Sequence, residues 1–281
     1  MNYRHAFHAG NFADVVKHAV LVALLESLKQ KDAPCAYFET HAGAGRYELD
    51  AEEATKTGEY RDGVARLLPV SRMPAVLHVY LNLVRTLNAG GAAITRYPGS
   101  PLIAAQLLRA DDRLALCELQ ELESNTLKRL FQDDPRVSVH RRDGYEALKA
   151  LLPPTPRRGL ALIDPPFEAQ EREFDAIADA LKTAFQRWKN GVYAIWYPIK
   201  LRQHVAPFHR FLRQSGMPKV LVAELCIHPD NSALRLNGCG LAIVNAPYRL
   251  DRTLGEAFPV LLELLQQGRF GSQRVEWLVG G

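Results

Sequence analysis

Most features that narrow a protein's class at a glance are missing from this chain of 281 residues. There are four cysteines, Cys35, Cys117, Cys226 and Cys239, with no C-x-x-C spacing among them. That argues against a zinc or disulfide framework and predicts buried, reduced thiols. His5, His8 and His18 lie close together, but none pairs with a cysteine or with a second histidine at i,i+4 in a helix, so no metal site is expected. No run reaches the ~18 apolar residues that a membrane helix needs. The opening MNYRHAFHAGN lacks the apolar core of a signal peptide, so a soluble, cytoplasmic protein is expected. There is no internal repeat and no low-complexity tract. Strong charge of one sign is absent too: the formal net charge is +4. That mild basicity is compatible with a nucleic-acid partner without demanding one.

What is present is an ordinary globular composition, 47% hydrophobic and 23% charged, in a length that suits one large α/β domain or one domain with an insertion. Apolar residues recur at Val16, Ala19, Val20, Ala23, Leu24 and Leu28, which predicts a helix ending near Lys31. Asn11 is placed to cap it, with Asp14 in its first turn. A short strand, CAYFE, then breaks into a turn holding Gly43 and Gly45. The next strand does not return within ~30 residues, as a simple βαβ unit would require. Residues 51–96 instead carry helical stretches, at about 58–68 and 74–88, and read as an inserted helical subdomain. The main domain is then residues 1–50 and 97–281, with 1–31 as an N-terminal segment and helix. From 97 onward strands alternate with helices, and two late strands, KVLVAELCI and GCGLAIVNAP, follow each other closely. The expected fold is α/β: a doubly wound, mostly parallel sheet with an antiparallel edge strand.

In open α/β sheets, ligands bind beyond the carboxyl ends of the strands. Residues of chemical interest fall there four times: 39–45, Glu118, Asp143-Gly144 and 164–167. Gly43 and Gly45 would let the backbone approach a ligand closely, although the third glycine of a dinucleotide fingerprint is missing. A carboxylate at Glu118 can accept both hydroxyls of a ribose. Asp143 can accept from an adenine amine, with Gly144 leaving room for the ring. Asp164-Pro165-Pro166-Phe167 is the most specific stretch. Prolines can simply stop a strand, but that does not account for the flanking acid and ring. Methylation of a base's exocyclic amine does. The amine's lone pair is conjugated with the ring. Asp164 and the Pro165 carbonyl can both accept its hydrogens and draw the nitrogen toward tetrahedral geometry, while Phe167 offers a face for the base.

These stretches, together with YRHAFHAGNFADVVKH, THAGAGRYEL, TGEY, YPGSPLIA and YAIWYP, resemble the RlmJ family over essentially the whole chain. DPPF after an apolar strand also resembles motif IV of class I amino-methyltransferases. The resemblance implies a Rossmann-like class I methyltransferase that uses S-adenosylmethionine to methylate N6 of one adenine in 23S ribosomal RNA. It implies that Lys17 and His18 close over the cofactor. His41, the glycines after it and Ser100 would contact the methionine part, Glu118 the ribose, and Asp143 and Gly144 the adenine. Asp164 would be the catalytic acceptor, and Tyr3 and Arg4 would approach the RNA. The family commonly has tyrosine where this chain has Phe167, so only a stacking role carries over. The expected partner is 23S RNA, protein-free or in an early assembly intermediate, met by a monomer.

Between 55 and 96 there are six cations, Lys56, Arg61, Arg66, Arg72, Arg85 and Arg96, against Glu59 and Asp62. Arg61 and Arg66 are candidates to grip phosphates beside the site. Three other readings stay open on the residues alone: a DNA adenine-N6 methyltransferase, a catalytically silent RNA-binding assembly protein, and a nucleotide-dependent dehydrogenase using the glycine turn.

Overall fold

The first apolar stretch folds as its spacing predicts. In a computed structural model that describes residues 4–89, 93–167, 170–231 and 235–280, helix α1 spans Phe12–Lys29. The Asn11 side chain accepts from the Asp14 N–H and caps it. Its buried residues run all round the helix, because it packs between the sheet and three other helices.

Strand β1 is Ala36–Glu39. Strand β2, Arg46–Glu48, pairs with β3, Arg96–Pro98, in a separate two-stranded antiparallel sheet. Between them lie α2, Glu52–Thr57, and α3, Ala75–Leu87. Only the second of the two expected helical stretches is an α-helix. Residues 58–68 form two short 3-10 turns, Glu59–Arg61 and Val64–Arg66, because Gly58, at φ 64°, ends α2 in the left-handed region. Leu77, Tyr80, Leu81 and Val84 of α3 are buried in one cluster with α1.

The rhythm then continues through α4 (Ser100–Leu107), β4 (Arg113–Cys117), α5 (Glu121–Leu130), β5 (Val137–His140), α6 (Gly144–Leu151) and β6 (Gly159–Ile163). After these come α7 (Gln170–Arg187), β7 (Val192–Ile199), α8 (Arg202–Gln214), β8 (Val220–Cys226), β9 (Gly238–Val244), α9 (Leu250–Leu265) and β10 (Ser272–Val279).

The main sheet has eight strands in the order β10-β8-β9-β7-β6-β1-β4-β5. The pairs β5–β4, β4–β1, β1–β6 and β6–β7 are parallel. β9 runs antiparallel between β7 and β8, and β10 forms the antiparallel edge. The central strands β1, β6, β8 and β9 are buried along their whole length, and β7 everywhere but at Trp196, as expected for strands covered on both faces. One core lies under α1, α3, α4 and α9, and a second under α6, α7 and α8. All four cysteines are buried. Among the described residues, no helix is long and apolar enough to cross a membrane.

Candidate active site

The carboxyl ends of β1, β4, β5 and β6 open onto a single cavity of about 1040 Å³. This is where the strand order reverses around β1, the expected location of a ligand crevice. Lys17, His18, His41, Gly43, Ser100, Glu118, Asp143, Gly144, Asp164, Pro165 and Phe167 all line it, as does Arg4. Gly45 does not; it supports the turn from behind, against Leu127 and Leu130. Arg61 and Arg66 also lie outside the lining. Tyr3 lies outside the described residues.

The turn after β1 is built around Gly43, whose φ of 60° favours glycine. Its N–H donates to Glu118 Oε2 at 2.9 Å, and the N–H of Gln120 donates to Glu118 Oε1 at 2.7 Å. Glu118 therefore ties the two turns together while facing the cavity. Asp143 caps α6: its Oδ1 accepts from the N–H groups of Tyr145 and Glu146, at 2.9 and 3.0 Å. A Cβ on Gly144 would collide with the Thr40 carbonyl. The neighbouring turn is itself reason enough for glycine there, besides any room it leaves for a ring.

Under the cavity floor, Glu39 is fully buried at the end of β1. It accepts from the Tyr37 hydroxyl at 2.8 Å and from the Ser100 hydroxyl at the start of α4. Burial pushes its carboxyl up to about 8. Burial likewise lowers His41 to about 4, and its Nδ1 lies 2.8 Å from the Thr40 hydroxyl.

Asp164 closes β6. Lys17 of α1 donates to its Oδ2 at 2.7 Å and lies 3.1 Å from Asp14 Oδ1. Among the described residues no hydrogen bond falls on Asp164 Oδ1. Asp14 also accepts from the Gly10 N–H at 2.9 Å and lies 3.0 Å from His5 Nε2. Burial opposes ionisation of Asp14, but the charges of His5 and Lys17 more than offset it and hold its carboxyl well below the usual range. Phe167 has a φ of 50°, an uncommon conformation for a bulky residue, which persists only where the surroundings enforce it. The enforcement is aromatic: its ring packs edge-on against Phe174 at 5.2 Å and Trp196 at 5.7 Å.

Sequence reasoning missed Trp196, Lys200 and Arg235, which also line the cavity. Trp196 and Lys200 follow from the strand that ends in WYPIK, whose carboxyl end faces the same way as β6; Arg235 carries no local signal.

A family model described as ribosomal RNA large subunit methyltransferase D, RlmJ, matches residues 32–279. The chain belongs to the RlmJ family. It is 42% identical over 279 residues to the ribosomal RNA large subunit methyltransferase J of Escherichia coli K12, covering 99% of both chains. The corresponding protein of Haemophilus influenzae is 41% identical over 278 residues, again with 99% of each chain covered. Among solved structures, protein LPL1258 of Legionella pneumophila matches at a TM-score of 0.87 and 36% identity, covering 96% of this chain and 98% of that one. This chain is thus a class I methyltransferase with a Rossmann-like fold, and its methyl donor is S-adenosylmethionine. The lining fits that molecule. It supplies carboxylate acceptors at Glu118 and Asp143 for hydroxyl and amine donors, a glycine turn for close approach, and further polar groups at Lys17, His18 and Ser100 for an amino-acid end.

Proposed function

We propose that this protein methylates the exocyclic N6 amine of one adenine in 23S ribosomal RNA, after extruding that base into the cavity. The observation that carries the reading is Asp164. It stands on a D-P-P-F turn at a strand's carboxyl end, inside the cavity, with Lys17 on one carboxylate oxygen at 2.7 Å. The other oxygen can accept from a target amine.

S-adenosylmethionine, when bound, supplies a methyl group activated on a sulfonium centre. Glu118 would hold its ribose, Asp143 and Gly144 its adenine, and His18, His41 and Ser100 its methionine part, with Gly43 giving it backbone access. Asp164 and the Pro165 carbonyl accept the two hydrogens of the target amine and orient its nitrogen. Phe167 gives the base a face to pack on. Lys17 keeps the Asp164 carboxylate in place. No strong base is needed beforehand, because the nitrogen becomes acidic only as it gains the methyl group. Positioning and electrostatics supply most of the acceleration.

On the RNA side, Tyr3 and Arg4 approach the target strand. The inserted segment 51–96, through Arg61 and Arg66, holds phosphates beside it. The substrate is 23S RNA free of protein or in an early assembly intermediate, and the enzyme acts as a monomer in the cytoplasm.

The test incubates purified protein and S-adenosylmethionine with separate pools of unmodified 23S RNA, 16S RNA and duplex DNA. Each pool is digested and N6-methyladenosine, or its deoxy form, is measured by mass spectrometry. Signal in 23S RNA alone supports the reading. Signal in DNA keeps the chemistry and overturns the substrate. No signal in any pool, with cofactor still bound, favours a silent binding protein.

A further inference from the structure

His18 is 1% exposed, and among the described residues its Nε2 has no hydrogen-bond partner, although the residue lines the cavity. Its other nitrogen, Nδ1, lies 2.8 Å from the Tyr97 hydroxyl, which lies 2.9 Å from the Tyr80 hydroxyl. Both tyrosines are fully buried, Tyr80 on α3 and Tyr97 on β3. The rings of His18 and Tyr97 are stacked, with centroids 5.5 Å apart. Burial lowers the His18 imidazole to about 3, so near neutral pH the ring carries one proton.

Either direction of this chain leaves one buried proton without an acceptor, and they differ in where it sits: on Tyr80, away from the cavity lining, or on His18, which lines it and where a ligand can accept it. Among the described residues, the hydrogen bond shown for the Tyr80 hydroxyl is the one to Tyr97. If His18 carried its proton on Nδ1, that proton would go to Tyr97 and the Tyr97 proton to Tyr80. The Tyr80 proton would then be buried with no acceptor, a costly outcome. In the reverse direction every hydroxyl proton has an acceptor. Tyr80 donates to Tyr97, Tyr97 donates to His18 Nδ1, and the imidazole proton sits on Nε2. That leaves one buried N–H donor at the cavity with nothing to donate to.

We propose that Tyr80 and Tyr97 are positioning residues that fix His18 as its Nε2–H tautomer, and that this N–H donates to the carboxylate of the bound cofactor's methionine part. The inference rests on the cofactor reading above. It gives the segment 51–96, which carries Tyr80, a part in cofactor recognition besides any part in RNA binding. A carboxylate is the complementary partner because a neutral N–H donates and cannot accept, and it is the anionic group of S-adenosylmethionine. Lys17, a cation lining the same cavity, reinforces that preference.

The experiment compares binding of S-adenosylmethionine and of decarboxylated S-adenosylmethionine to the wild type, Tyr97→Phe and Tyr80→Phe by calorimetry. The wild type should prefer the carboxylate form by about tenfold or more, since hydrogen bonds to charged groups are worth that much. Tyr97→Phe should lose several-fold of that preference through weaker binding of the carboxylate form alone, and Tyr80→Phe a smaller part. A merely structural loss would weaken both ligands alike and leave the ratio unchanged, which would overturn the proposal. If Tyr97→Phe does not fold, ¹⁵N NMR of the wild-type His18 ring decides. A protonated Nε2 and bare Nδ1 at neutral pH support the relay, and the opposite tautomer overturns it. If the wild type binds S-adenosylmethionine but treats the two ligands alike, the relay fails while the methyltransferase reading stands; if it binds neither, the cofactor reading fails first.

Discussion

Two glutamates are buried in the main sheet, and they are kept there by opposite means. Glu39, 0% exposed at the end of β1, is held by two neutral hydroxyls, those of Tyr37 and Ser100. Glu224, 1% exposed on β8, is held by cations and neutral donors together. Its Oε2 lies 2.6 Å from Arg202 and 3.2 Å from Arg274, and its Oε1 accepts from Tyr197 at 2.9 Å, with His209 at 3.4 Å. Around Glu224 both oxygens are engaged, and the cluster closes on itself. Around Glu39 the acid is kept neutral, and the charge in that neighbourhood is left to Asp164 and Lys17. A site that must receive a cationic cofactor and a neutral amine needs acceptors with spare capacity. A structural cluster needs none.

The contrast predicts first that Asp164, not either buried glutamate, governs turnover. Asp164→Asn should lower methyl transfer by about a thousandfold or more, in line with the loss of an electrostatic contact to the reacting group. Affinity for S-adenosylmethionine should stay within a few-fold. Single-turnover kinetics and calorimetry on the same preparation check both; lost cofactor affinity at full turnover rate would reverse the assignment.

The second prediction separates the glutamates by pH. Glu39 starts from an ordinary value of 4.5, and burial lifts it to about 8. Because the folded value is the higher one, its contribution to stability is complete below about pH 4.5 and is lost as pH rises through about 8. Glu39→Gln keeps the shape and one acceptor oxygen, puts an NH2 group with two N–H donors in place of the other oxygen, and cannot ionise. Its stability relative to wild type should therefore grow between pH 4.5 and 8, by on the order of 4 kcal/mol. Urea unfolding at both ends of that window measures it, and a constant difference would show that Glu39 is ionised in the fold.

How far could this have been read from the chain alone? The α1 cap at Asn11, the buried strands and the four turns of the site were legible because each rests on local pattern and on the rule that α/β sheets bind at strand ends. β10 was not. SQRVEWLV is half-polar and only partly buried, and it becomes a strand by pairing antiparallel with β8, some 50 residues earlier in the chain. The Lys17–Asp164 pair joins residues 147 apart, and neither residue's local sequence points to the other. Residues 58–68 carry a helical expectation that Gly58 and Gly63 break into two 3-10 turns. Phe167 could be named as a ring but not as a strained one, since Phe174 and Trp196 hold it from elsewhere in the fold.

A third prediction breaks the closed cluster. Glu224→Leu should leave kcat and KM unchanged in the folded protein while costing stability, by leaving Arg202 and Arg274 without their shared carboxylate. Removing one partner of a fully buried pair costs ~3–5 kcal/mol. Here the arginine side chains are 38% and 35% exposed, so solvent screening reduces the expectation to about 2 kcal/mol. Thermal unfolding with and without S-adenosylmethionine reads it. A drop in turnover larger than the drop in folded protein would mean that the cluster reaches the site.

The smallest effects belong to the two arginines proposed to hold RNA, which turn out to be unlike each other. Arg61 is exposed, its guanidinium 5.7 Å from the centre of the Tyr60 ring. Arg66 is tied down: it lies 2.5 Å from Asp62 and donates to the Gln266 carbonyl, just past α9, at 3.2 Å. Arg61→Glu should therefore weaken RNA binding a few-fold and shallow its salt slope by about one, the signature of one lost phosphate contact. Arg66→Glu should change the slope less and stability more, because its charge already serves the fold. Cofactor affinity should be intact in both. A slope unchanged by Arg61→Glu would remove this segment from the phosphate path and shift the expectation to Lys200 and Arg235, which stand on the cavity itself.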